Sequence, residues 1–117
     1  MNAFDASARA EGSTTVIDLI GLVDKSAETR LNEVFDTALT AGSGLIVFNF
    51  RDVEYINSTG IALVVGVLAK ARTAGRTVRA YGLTEHYREI FTITRLSDFM
   101  GIFDDESAAV AGGGDDA

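Results

Sequence analysis

The residues best suited to chemistry sit together in Asn57-Ser58-Thr59-Gly60, a polar interruption between two apolar runs. Two adjacent hydroxyls offer a nucleophile or an acceptor for modification, with Asn57 as a hydrogen-bonding neighbour. The run before them, Leu45 to Phe50, is short and rich in β-branched and aromatic residues, the pattern of a strand buried on both faces. The run after them, from Ile61, is longer and reads as a helix. The hydroxyls therefore fall at a strand-to-helix junction. Here the first-turn N–H groups lack intrahelical partners and the helix dipole is positive, so acceptors and anions are favoured. A plainer role is open to Asn57 and Ser58 as turn and N-cap residues that satisfy those N–H groups.

An enzyme built on Ser58 finds little support around it. The Gly-x-Ser-x-Gly elbow is absent, and the sole histidine, His86, lies between Glu85 and Glu89 on an expected surface helix. Gly60 and Gly66 form no phosphate loop, since no Gly-Lys-Ser/Thr follows; Gly60 suits a close approach at the helix start and Gly66 close packing. Without cysteine, disulfides and thiolate metal sites are excluded, and no cofactor or metal site is expected. A net charge of −7 and a pI near 4.5 disfavour nucleic acid and anionic membranes as partners, leaving other proteins. Ile61 to Leu68 is too short an apolar run to span a bilayer, which takes ~20 residues. The N-terminus lacks a signal pattern, so a soluble, cytoplasmic protein is expected.

The elements that must position the hydroxyls follow from periodicity. Phe4, Ala6 and Ala8 alternate as in an edge strand, Gly12-Ser13 marks a turn, and Thr14 to Ile20 reads as a strand, together a hairpin. Gly21-Leu22-Val23-Asp24 leaves that strand, and Ser26 is the expected N-cap of a helix with Leu31, Val34, Phe35, Ala38 and Leu39 on one stripe. A left-handed glycine is expected to end this helix within Ala41 to Gly44. Past the central stretch come a helix end at Lys70 to Arg76 and a strand at Thr77 to Tyr81. A helix capped by Thr84 follows, then an apolar segment from Leu96 to Phe103 and a short helix within Asp104 to Val110. Asp104-Asp105-Glu106, with no basic complement in sequence, reads as a solvated face. The alternation predicts an α/β sandwich with a mixed, mainly parallel sheet, an antiparallel edge strand and helices packed on it. It is expected to be a single domain over residues 1–110, followed by a disordered acidic, glycine-rich tail over 111–117. Function is then expected beyond the C-terminal ends of the parallel strands, in the loops 21–26 and 51–60. The second helix is apolar on every side, so one face, around Leu63 and Val67, is expected to serve a protein partner.

With the elements in this order, Val53-Glu54-Tyr55-Ile56-Asn57-Ser58-Thr59-Gly60-Ile61 resembles the hydrophobic-x-Asp-Ser-Ser/Thr-Gly-hydrophobic signature of the STAS domain. Gly21-Leu22-Val23-Asp24 is similar to that family's Gly-x-Leu-Asp turn, and Thr94-Arg95-Leu96 to its Thr-Gly-Leu. The resemblance runs from about Val16 to Asp105 and is greatest to the single-domain anti-sigma factor antagonists of bacteria. It implies a partner switch. The unphosphorylated domain binds an anti-sigma factor with serine kinase activity, phosphorylation of Ser58 (or, as the lesser alternative, Thr59) releases it, and a serine phosphatase restores binding. Asp24, Asn57, Ser58, Thr59, Gly60, Leu63 and Val67 are the expected partner-binding residues. Two residues depart from the pattern: Asn57 stands where the family has Asp, and Arg95 where it has Gly. A STAS scaffold or transport-associated regulatory domain that is not phosphorylated is the alternative the resemblance leaves open.

Overall fold

The computed structural model of the protein describes residues 3–42 and 44–112. Residues 113–117, most of the expected tail, lie outside the described residues. The chain forms β1 (Asp5–Glu11), β2 (Thr14–Val23), α1 (Glu28–Thr40), β3 (Ile46–Ile56), α2 (Ser58–Thr73), β4 (Val78–Tyr81), α3 (Glu85–Ile93), β5 (Gly101–Phe103) and α4 (Glu106–Ala111). The final helix thus takes in Ala111, one residue past the expected domain end.

The five strands lie in sequence order in one sheet, with β1 antiparallel to β2 and every later pair parallel. The hairpin, the parallel sheet and the alternating helices agree with the periodicity. On one face, Ile17, Leu19, Ile46, Phe48 and Phe50 bury against Leu31, Phe35 and Ala38 of α1, Val64 and Val67 of α2, and Phe91 of α3. Phe35 stacks on Phe48 at 5.8 Å, and Phe91 meets Phe50 edge-on at the same centroid distance. On the other face, Val16, Val47 and Tyr81 bury against Ala109 of α4.

Several expectations need correction. Gly21 to Val23 continue β2 instead of leaving it. They pair with Val53 to Ile56 across register shifts, and Gly21 takes φ 86°, a conformation a side chain would resist. With a neighbour to pair with, β3 runs on to Ile56, and the expected loop from Arg51 to Gly60 shrinks to a sharp junction at Asn57. Ser26 does not cap α1. Instead Asp24 caps a single 3-10 turn, Lys25–Ala27, by accepting from the Ser26 N–H at 2.9 Å, and α1 starts after it. Among the described residues no left-handed glycine ends α1; Ala41 closes it with ordinary helical angles. The apolar segment after α3 forms a 3-10 turn, Leu96–Asp98, and then β5, a strand too short to carry a period of its own.

The acidic run also has basic complements, far away in sequence. Asp104 accepts from Arg88 at 2.6 Å, and half-buried Glu106 accepts from the Arg9 guanidinium and, at 2.8 Å, from the Tyr81 hydroxyl. Arg9 also donates to Asp18 at 2.7 Å, Asn49 donates to Asp18 at 2.8 Å, and Arg79 donates to the Ala109 carbonyl at 2.8 Å. This network fastens α4 to the sheet. The Arg9 and Tyr81 hydrogen bonds hold the Glu106 carboxyl below its ordinary range, while burial and the Glu106 contact push the Tyr81 phenol up to about 12.

Candidate site at the start of α2

Val23 and Ile56 are cross-strand partners, so Asp24 and Asn57 leave the sheet side by side at its C-terminal edge. The Asn57 N–H donates to the Val23 carbonyl at 3.3 Å, and the Ile56 N–H donates to the Tyr87 hydroxyl of α3 at 3.0 Å. The strand end is therefore held from both sides. Asn57 is extended, with φ −94° and ψ −177°, and its Oδ1 accepts from the Gly60 N–H at 2.9 Å while its carbonyl accepts from Ile61 at 2.9 Å. It is a full N-cap.

Gly60 occupies the tightest point of the junction. A Cβ added there would lie 1.9 Å from the Val23 carbonyl oxygen and 3.0 Å from Ile56 Cγ2. Only glycine lets the first turn of α2 rest directly on the end of β2, which bears out the expected close approach. Gly66 differs from its expectation: it faces outward, and a Cβ there meets nothing within 4 Å.

Ser58 and Thr59 are the first two residues of α2 and both are exposed. Of the helix's first N–H groups, those of Gly60 and Ile61 are taken up by Asn57, which leaves the Ser58 and Thr59 N–H groups to face solvent or an added anion. The site is thus an exposed primary hydroxyl on a rigid mount, at the positive end of a 16-residue helix. Asp24 stands on the neighbouring strand exit, occupied with Ser26, whose hydroxyl also donates to it at 2.5 Å. His86 is exposed and packs edge-on against Tyr87 at 5.0 Å.

The structure brings Asp24, Asn57, Ser58, Thr59 and Gly60 to one edge of the sheet and separates Val67 from them. Val67, expected on a partner face, is 1% exposed and belongs to the core, and Leu63 is half-buried against the same core. The inner side of α2 is wide because α1, the Lys25–Ala27 turn and the sheet all pack on it. The outward residues at helical spacing are Ala62, Val65, Gly66 and Ala69, with Val65 47% exposed. Their small size concealed them, since an outward stripe of alanine, valine and glycine looks as apolar as a buried one. Tyr55, on the strand just before the site, is 55% exposed.

A small α/β domain with one antiparallel edge, three helices over one sheet face, and an exposed Ser-Thr pair at the β3–α2 junction has the architecture of the STAS class. The chain belongs to that family, for its residues 6–102 match the model described as Mlab, STAS domain. It is 29% identical to an anti-sigma-B factor antagonist of Staphylococcus aureus over 82 residues, 70% of this chain and 76% of that protein. Its fold is similar to that of an anti-sigma factor antagonist from Mycobacterium paratuberculosis (TM-score 0.77, 17% identity, 97% of this chain and 96% of that one). The phosphorylated form of the Bacillus cell fate determinant SpoIIAA also matches (TM-score 0.66, 24% identity, 91% of this chain and 96% of that one). At these identities the structures speak for the fold alone. No helix among the described residues is long and apolar enough to cross a membrane.

Proposed function

We propose that the chain is a cytoplasmic anti-sigma factor antagonist that works as a phosphorylation-controlled binding switch. Unphosphorylated, it docks an anti-sigma factor with serine kinase activity through the edge formed by Asp24, Asn57, Ser58, Thr59 and Gly60, together with Leu63 and outward Ala62. The kinase phosphorylates Ser58, with Thr59 as the lesser acceptor, and a serine phosphatase reverses the step. The domain is the substrate and does not itself catalyse.

The observation that carries this reading is the exposed Ser58 hydroxyl at the first position of a rigidly mounted helix. A phosphate there adds about −1.5 to −2 charges at neutral pH. Two N–H groups without helical partners and the helix dipole accommodate that charge within the domain. A partner packed over the bare hydroxyl cannot do so, because burying an unpaired dianion is far costlier than the contact is favourable. Asn57 supports the same outcome. It performs the cap without a carboxylate next to the phosphate, so phosphorylated Ser58 meets no like charge from its nearest neighbour.

The test is incubation with the cognate kinase and ATP, with mass spectrometry of the product. A phosphate on Ser58 that accompanies loss of the partner complex supports the switch. A complex that persists while Ser58 stays unmodified favours the non-phosphorylated scaffold or transport-associated regulator instead.

A further inference from the structure

We infer that a second surface, the groove between α2 and the 94–99 turn, docks an acidic amphipathic helix of a protein partner. It lies on the C-terminal half of α2, with Val65 to Arg72 roughly 10 to 21 Å along the helix from Ser58 at 1.5 Å per residue, and does not include the residues of the switch.

The groove has a volume of about 290 Å³ and an apolar floor of Val65, Leu68, Ala69, Leu96 and Phe99. Val65 and Phe99 remain 47% and 55% exposed, so this floor is left open to water. Arg72, Thr94 and Arg95 complete the lining, which contains no carboxylate. In a chain of net charge −7, two arginines beside an open apolar trough form a local reversal of sign. The Arg72 guanidinium sits 5.3 Å over the Phe99 ring, held on apolar surface and free to meet an anion on its other side. Asp98 is the nearby acid; it accepts from Arg95 Nε at 2.9 Å, which leaves the rest of that guanidinium, on a side chain 80% exposed, directed to solvent.

The backbone at this cation is unusual as well. Among the described residues Arg95 alone, of all those with a side chain, has a left-handed φ, at 67°. Glycine would adopt this conformation without strain. The left-handed turn sets the Arg95 side chain at the rim of the groove, with its guanidinium exposed. The trough runs along α2 through Val65, Leu68, Ala69 and Arg72, residues at i, i+3, i+4 and i+7, which is the spacing of a surface that accepts another helix. Leucines of that helix would enter between Val65 and Phe99, and its flanking glutamates would meet Arg72 and Arg95.

The test uses a synthetic peptide of about 14 residues, with leucines at i, i+3, i+4 and i+7 and glutamates between them. A control peptide carries lysine in place of every glutamate. The acidic peptide is expected to shift the amide NMR signals of Val65, Ala69, Leu96 and Phe99, and to bind at least about tenfold more tightly than the basic one. Arg95→Gly is the decisive variant. It is expected to raise the melting temperature by about 4 °C as strain is relieved. It is also expected to weaken the peptide about fivefold as a charge contact is lost. Arg72→Ala weakens it similarly, and Ser58→Asp leaves it unchanged, so failure here and failure of the switch are separable. Equal affinity for the two peptides, an unchanged affinity in Arg95→Gly, or shifts that map elsewhere on the domain would each overturn the inference. So would self-association of the protein, or dodecanoate, claiming these signals while the acidic peptide does not.

Discussion

Replacing Gly60 by alanine tests whether the end of β2 fixes the position of the phosphate acceptor. At an ordinary interior helical position the change would stabilise by about 1 kcal/mol through helix propensity. Here the new methyl would begin 1.9 Å from the Val23 carbonyl oxygen and 2.8 Å from its carbon, against ~3.5 Å for a relaxed contact. The atom it meets is backbone within the sheet and cannot rotate away. The first turn of α2 must therefore move outward by roughly 1.5 Å, enough to break the 3.3 Å hydrogen bond from Asn57 to Val23 and to disturb the cap on Gly60. The hydrogen bond and the cap are each worth about 1 kcal/mol, and the overpacking itself costs about 1–3 kcal/mol. After the propensity gain is subtracted, the net loss is about 2–4 kcal/mol, or a fall of about 8 °C or more in melting temperature. Urea unfolding followed by circular dichroism measures it. A Gly60→Ala protein as stable as the parent, or more so, would refute the close approach, because propensity alone would then describe the site.

The other predictions concern the cap, the buried side of α2 and the fastening of α4. Asn57→Ala should lose about 1 kcal/mol in chemical unfolding, since Oδ1 is the acceptor for Gly60, and Asn57→Asp should recover the cap with a small gain from the helix dipole. Val67→Ala should cost about 2 kcal/mol while Val65→Ala stays within ~0.5 kcal/mol, a contrast that thermal melts of the pair will reveal. The Asp18 carboxyl is pushed upward by burial, but hydrogen bonds from Arg9 and Asn49 outweigh this and hold it below its ordinary 3.8; Glu106 lies below its ordinary 4.5. Both folded-state values are depressed, so their stabilisation is complete above about pH 5 and fades as pH falls through the lowered values. Amide exchange in Glu106–Ala111 should accelerate below about pH 4 before the rest of the sheet opens, and Glu106→Gln should show that faster exchange already at neutral pH.

How much could be read from the chain depended on the range of the interaction. Strand and helix identities came from local periodicity, and the α1 stripe of Leu31, Val34, Phe35 and Ala38 is buried as its spacing required. The Ser-Thr pair was legible at a strand-to-helix junction because the composition changes abruptly on either side of it. The length of β3 was not, because Arg51 to Ile56 become strand only through pairing with the end of β2, a contact some thirty residues away. Glu106 was misread for the same reason, since its partner Arg9 stands 97 residues distant. Val67 was assigned to the wrong side of α2 because an apolar residue on an all-apolar helix gives no indication of which neighbours surround it. Arg95 was seen as a departure from a glycine position, but its left-handed backbone and its place beside an apolar groove required coordinates.

The most direct measurement of the switch compares Ser58→Asp with Ser58→Ala in calorimetric binding to the anti-sigma factor kinase purified from the same cell, with thermal melts of both proteins alongside. The account predicts that Ser58→Ala binds about as well as the parent. Ser58→Asp should lose at least about a hundredfold in affinity, some 2.7 kcal/mol, while its melting temperature changes little, because the helix terminus tolerates the charge that the partner rejects. Full affinity in Ser58→Asp, or a loss explained by an unfolded domain, would contradict it.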